Sequence, residues 1–171
     1  MIINASIVLT PLCLKHAPEL FQCVDSSRDN LSLSMPWEKQ VISIDSAERY
    51  ITRRISQKDN GAQWFAILNH GAFCGVFGIK HIDNRAKACE LGYWLSDSAC
   101  GQGIIHKILD VILPVLKKKY GIRCVEFHCL ETNLPSIKLL EKVGAKQLQK
   151  VTNTMDVPNP NQWLYIYQLL L

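Results

Sequence analysis

The residues best placed to do chemistry lie between Glu90 and Ile105, in the stretch ELGYWLSDSACGQGII. Alternating apolar residues Leu91, Tyr93 and Leu95 predict a strand. A short polar turn leads to the glycine pair Gly101 and Gly103, and a helical repeat follows at once at Ile104, Ile108, Ile112 and Leu116. Strand, glycine turn and helix start in that order make an anion site. The first amides of a helix have no internal partners, and the helix dipole favours negative charge there. The glycines let a phosphate come close to the backbone. This stretch points to a protein that holds a phosphorylated cofactor.

The rest of the chain narrows the class. Its 171 residues contain no long Gly/Ser or Pro-rich linker and no internal repeat, so residues 1–171 read as one domain. A chain of this length buries about 70% of its unfolded surface. The formal charge is +4, and the one basic run, Lys117-Lys118-Lys119, falls at the end of the helix after the glycine turn. Cations are favoured there, so the run reads as a solvated cap and no nucleic-acid partner is expected. Seven cysteines are scattered with no C-x-x-C pair. That pattern fits reduced, mostly buried thiols in a cytoplasmic protein. Cys100 lies before a helix N-terminus, which lowers a thiol pKa, but no paired histidine is evident, so a nucleophile is not expected. The five histidines lack ligand spacing around any cysteine pair, so no metal site is expected either. The N-terminal MIINASIVLTPLCLKH has no basic leader, and no run of about 20 apolar residues occurs, so neither a signal peptide nor a membrane span is expected.

The elements that must position the site follow from periodicity. Strands are expected at Ser6–Leu12, Gln63–Leu68, Phe73–Lys80, Lys87–Leu95, Cys124–Leu130, Lys146–Met155 and Trp163–Leu170. Asn69-His70-Gly71 is a hairpin signal. Helices are expected at Leu14–Asp25, from a capping box at Asp45 and Glu48 to about Lys58, from Gly103 to Tyr120 before Gly121, and from Asn133 to Gly144. Asn153 to Gln162, with Pro158 and Pro160, reads as a loop. The order gives an α/β (α+β) fold, a mixed and mostly antiparallel sheet of about seven strands flanked by helices.

That order, with these motifs, resembles the GNAT superfamily of acyl-CoA N-acyltransferases, and within it the RimJ and RimL branch of ribosomal-protein N-terminal acetyltransferases. Three pieces carry the resemblance. LKHAPELFQCVDSSRDNLSLSMPW, Leu14 to Trp37, is similar to the branch's first helices and Met-Pro-Trp corner; ELGYWLSDSACGQGI is similar to its cofactor strand and loop; NLPSIKLLEKVGA, Asn133 to Ala145, is similar to its N-x-x-S-x-x-L-x-E-K-x-G-F segment. The family loop, Q/R-x-x-G-x-G/A, reads Cys100-Gly101-Gln102-Gly103-Ile104-Ile105 here. Cys100 removes a side-chain donor and leaves the backbone amides, while Ile105 replaces a small residue and is expected to crowd the helix start.

The resemblance implies a GNAT fold splayed between the fourth and fifth strands, with acetyl-CoA as cofactor. By that resemblance the amides of Gly101, Gln102, Gly103, Ile104, Ile105 and His106 cradle the coenzyme A pyrophosphate. The backbone of Tyr93, Trp94 and Leu95 pairs with the pantetheine arm like an added strand, and an amide of that strand faces the thioester oxygen. Asn133 matches a cofactor-contacting asparagine. Ser136 matches the serine near the leaving sulfur; one turn further on, where other superfamily members hold a tyrosine, this chain has Leu140. Glu90 is the first candidate for general base and His128, on the neighbouring strand, the second. Met35 and Trp37 either wall the acceptor site or form a hydrophobic corner that pins the early helices.

The activity implied is acetyl transfer from acetyl-CoA to a primary amine, a protein N-terminus of the ribosomal-protein type, by direct transfer in a ternary complex. A small-molecule amine (antibiotic, peptide toxin or polyamine) is the alternative acceptor, and a non-catalytic acyl-CoA-binding module is the alternative class. The branch implies a monomer or homodimer.

Overall fold

Period-two patterns become strands close to where the sequence puts them. In the computed structural model, which describes residues 1–56 and 61–171, these are β1 (Ile7–Pro11), β2 (Gln63–Asn69), β3 (Ala72–Asp83), β4 (Ala88–Leu95), β5 (Cys124–Leu130), β6 (Lys146–Thr152) and β7 (Trp163–Leu170). Among the described residues they form one seven-stranded sheet in the order β1-β2-β3-β4-β5-β7-β6. All neighbours are antiparallel except β4 and β5. The helices are α1 (Ala17–Ser26), α2 (Arg28–Ser32), α3 (Ile44–Ser56), α4 (Ile104–Tyr120) and α5 (Leu134–Lys142).

Three boundaries differ from expectation. The first helix is split: Leu14–His16 is a 3-10 turn, and α1 starts after it with Pro18 in its first turn, where a missing N–H costs nothing. The start of α3 is built by serines, not by Asp45 and Glu48. Ser43 N donates to Ser46 Oγ at 2.8 Å and Ser46 N donates to Ser43 Oγ at 3.2 Å, a reciprocal cap two residues earlier. Its expected end near Lys58 lies outside the described residues. The strand expected to reach Met155 stops at Thr152, because Asn153 turns the chain. Its Oδ1 accepts from Met155 N at 2.8 Å and its buried amide donates to Met155 O and Pro160 O.

Alternation gives the sheet two apolar faces. On one face Phe77, Leu91, Val125 and Phe127 pack with Ile104, Ile108, Ile112 and Leu116 of α4 and Leu140 of α5. On the other Ala66, Val76 and Trp94 pack with Leu20 and Val24 of α1 and Ala47, Tyr50 and Ile51 of α3. Each fully buried Leu or Ile contributes about 1.5–3 kcal/mol. The segment between α2 and α3 is pinned by Arg28, whose guanidinium donates to Glu38 Oε2 at 2.7 Å, Glu38 O at 3.0 Å and Val41 O at 2.9 Å; Glu38 is only 3% exposed.

Candidate active site

The sheet forks where the sequence resemblance puts the opening. β4 and β5 pair only at Ala88↔Cys124, Cys89↔Val125 and Glu90↔Glu126. Beyond that point Leu91–Leu95 remains laddered to β3, and Phe127–Leu130 to β7, but not to each other. The edge of β4 facing the fork therefore offers free backbone groups to an extended ligand.

The glycine loop stands past the end of β4. Gly101 and Gly103 have φ of +75° and +69°, and a Cβ at either would meet nothing within 4 Å. No side chain caps α4. Gln102 is held by Ser98 O at 2.7 Å and by Asn69 Nδ2 at 3.2 Å, and His106 Nδ1 lies 3.1 Å from Asp110 Oδ2. With those side chains engaged, backbone amides and open space face outward, which suits a diphosphate. The expected crowding by Ile105 does not occur: it is 5% exposed and points into the core beneath α4. Burial, with the Asp97 charge, raises the Cys100 thiol pKa and makes it a poor nucleophile.

Ser136 sits in the first turn of α5. Asn133 is the N-cap, its Oδ1 accepting from Ser136 N at 3.3 Å. Leu140 indeed provides no hydroxyl, yet a tyrosine reaches Ser136 from elsewhere: Tyr93 Oη lies 2.7 Å from Ser136 Oγ. Burial holds the Tyr93 phenol far above the usual tyrosine range, so it stays protonated and can donate to Ser136. Cys129, also close by, is pushed up to about 11 by burial and remains a thiol.

The two candidate bases face one another on the opposite side of the sheet. Cys89, Leu91, Phe127 and Cys129 belong to the α4 side, so Glu90 and His128 point the other way. His128 Nδ1 lies 3.7 Å from Glu90 Oε1, and His128 Nε2 lies 4.0 Å from Glu126 Oε2. Lys80 pairs with Glu90. This lysine is the extra residue of a bulge between Ile79 and His81, and its stem crosses Gly92, where a Cβ would stand 2.9 Å from Lys80 Cδ. Glu90, the last β4 residue paired with β5, thus marks the apex of the fork.

Met35 and Trp37 lie on that same side as part of the hydrophobic corner. The Trp37 ring packs 4.6 Å from Tyr50 and 5.3 Å from Trp94, centroid to centroid, and Trp94 Nε1 donates to Tyr50 Oη at 3.3 Å. Lys39 Nζ reaches Asp156 Oδ2 at 3.0 Å, tying this corner to the β6–β7 loop. Among the described residues no His/Cys/Asp/Glu group has the arrangement of a metal site, and no helix is long and apolar enough to cross a membrane.

A sheet forked beside a glycine-opened helix defines a transferase of the acyl-CoA class. Residues 6–146 match the acetyltransferase (GNAT) domain family, and the chain belongs to it: it is an acyltransferase with acetyl-CoA as donor. It is similar to the ribosomal-protein-serine acetyltransferase of Escherichia coli (strain K12), 27% identical over 143 residues that cover 83% of this chain and 80% of that one. Two solved structures share its fold. One is RimL, the ribosomal L7/L12 alpha-N-protein acetyltransferase, in complex with coenzyme A: TM-score 0.91 at 21% identity, covering 99% of this chain and 97% of that one. The other is the microcin C7 self-immunity acetyltransferase MccE in complex with acetyl-CoA and AMP: TM-score 0.89 at 22% identity, covering 99% and 94%.

Proposed function

We propose that this protein acetylates the N-terminal amine of a polypeptide by direct transfer in a ternary complex. The observation that carries the reading is the fork at Glu90, with a hydroxyl pair on one face of the sheet and a carboxylate–imidazole pair on the other. The relation to a ribosomal-protein-serine acetyltransferase supports a polypeptide as acceptor.

Bound acetyl-CoA supplies the thioester. The uncapped amides from Gly101 to His106 hold its diphosphate, and the free edge of Tyr93, Trp94 and Leu95 pairs with its pantetheine arm. Asn133, whose Oδ1 caps α5, keeps its Nδ2 for the same arm. Ser136 stabilises the departing thiolate by donating a hydrogen bond to it, the thiolate takes its proton from solvent, and the Ser136 hydroxyl is oriented by Tyr93. From the other face Glu90, directly or through water, takes the proton of the attacking amine, and His128 3.7 Å away shares that proton. Met35 and Trp37 line the acceptor's approach.

An acceptor screen with thiol detection tests this. Serine-initiated peptides are expected to release coenzyme A and to gain one acetyl group on the α-amine by mass spectrometry, with no acetylated enzyme when the acceptor is omitted. Turnover confined to small amines, or an acyl-enzyme trapped without acceptor, would overturn the proposal.

A further inference from the structure

We infer that the cavity beside α3 binds acidic side chains of the acceptor polypeptide, a reading that rests on the polypeptide acceptor proposed above. The cavity holds about 450 Å³, and its walls include Trp37, Gln40, Arg49, Tyr50, Arg53 and Arg54. Arg49 and Arg53 stand one turn apart on α3, and Arg54 stands one turn after Tyr50, so the three guanidiniums converge on one opening.

Among the described residues none of them serves the fold as an ion pair. Among the described residues no carboxylate lies within 4.0 Å of Arg49, Arg53 or Arg54. Gln40 Oε1 takes the Arg53 Nη1 hydrogen at 2.7 Å and orients that group without neutralising it. Arg54 is preorganised by stacking: its guanidinium carbon lies 4.6 Å from the centre of the Tyr50 ring and 4.8 Å from that of Trp64. Stacking occupies the faces of a guanidinium and leaves its edge for hydrogen bonds. Among the described residues the buried Arg54 Nε has no hydrogen-bond partner. Three cations converging with no counter-ion among the described residues repel one another, and an anion in the cavity relieves that repulsion.

Two features favour peptide carboxylates as that anion. Planar guanidinium forks match carboxylates with two parallel hydrogen bonds. Trp37 is also a shared wall: it lines the cavity and packs 5.3 Å from Trp94 on β4, the strand that borders the fork. A polypeptide whose first residue reaches Glu90 passes over Trp37, and its following residues meet the arginines.

The test uses the coenzyme A-loaded protein and two serine-initiated peptides labelled at the C-terminus. One carries Asp and Glu at positions three to six; the other carries Asn and Gln there. Fluorescence anisotropy is expected to give about tenfold tighter binding of the acidic peptide, weakening with salt. The double variant Arg49→Gln, Arg53→Gln, at positions exposed to solvent, is expected to bring that ratio close to one. Arg53→Glu, which leaves Arg49 and Arg54 in place, is expected to weaken the acidic-peptide preference more than Arg53→Gln does. Equal binding of the two peptides to the unaltered protein, or a preference that survives the double variant, overturns the inference. So does displacement of the acidic peptide by adenosine monophosphate at lower concentration than by unlabelled peptide, which assigns the cavity to a phosphate ligand. Arginine-dependent binding without acetylation of either peptide, once acetyl-CoA replaces coenzyme A, refutes the acceptor reading and leaves the carboxylate preference standing.

Discussion

Ser136 and Tyr93 share one hydrogen bond across the α5–β4 contact, and the chemistry divides between them by position. In the proposed reaction Ser136, at the head of α5, acts at the sulfur, and Tyr93, buried and protonated, positions it. Ser136→Ala is expected to lower kcat about 100-fold with little change in acetyl-CoA affinity, and Tyr93→Phe to lower it about tenfold, measured by coenzyme A release. Glu90→Gln and His128→Ala are each expected to lower turnover and flatten the pH–rate profile; a profile unchanged in both removes them from the proton path. Ser136, Glu90 and His128 came forward as candidates through the family resemblance, which needs only matching residue types at motif positions. It did not offer the Tyr93 hydroxyl as a partner of Ser136. That contact joins residues far apart in sequence and depends on how α5 is set over the sheet. Nor did it offer Lys80 as the partner of Glu90, because that contact depends on the β3–β4 register, which strand alternation alone does not fix.

At the scale of elements, the glycine loop and the helix it opens were the most legible part of the chain. Gly101 and Gly103 announce positive φ, and Ile104 to Leu116 announce the buried stripe. Gly101→Val is expected to raise the acetyl-CoA Kd about tenfold or more by calorimetry; the left-handed backbone also costs a non-glycine residue about 1–2 kcal/mol. The ends of helices were less legible. Pro18 and the Ser43–Ser46 pair moved two starts, since several polar residues compete for each cap and packing selects among them. Arg28 was not singled out at all, because its value lies in a partner, Glu38, that folding buries. Arg28→Met leaves that carboxylate without its counter-ion and is expected to cost about 3 kcal/mol in urea unfolding. The 3-10 turn before α1 also carries a pH response. Burial lowers the His16 pKa below its ordinary 6.5, and its Nδ1 accepts the Cys13 amide, which requires the neutral ring. The unfolded chain therefore binds the proton more readily. Stability is full above the ordinary value and is lost as pH falls through it toward the lower folded one. Melting temperatures followed from about pH 7.5 to about pH 5.5 are expected to fall less steeply in His16→Asn than in the unaltered protein.

Over the whole molecule, one sheet separates two tasks. The face packed with α4 and α5 carries the hydroxyl pair beside the donor's path, and the face packed with α1 and α3 carries the carboxylate, the imidazole and the arginine cavity. The fork between β4 and β5 connects the faces, and in the proposed reaction donor and acceptor approach one point from opposite sides. Element order was legible because each strand and helix had its own period, and the opening between β4 and β5 because the family motifs stand in family order. The arginine cavity was not legible. Nothing in the sequence singles out Arg49, Arg53 and Arg54, because the cavity forms only where Tyr50, Trp64 and Trp37 close around them. Hydrogen–deuterium exchange with saturating acetyl-CoA tests the central claim most directly, that the start of α4 and the open edge of β4 together hold the donor. Slower exchange is expected at residues 91–95 and 101–106, with β6 unchanged at the far edge of the sheet. Unaltered exchange in both of those segments, with protection arising elsewhere, would contradict the account.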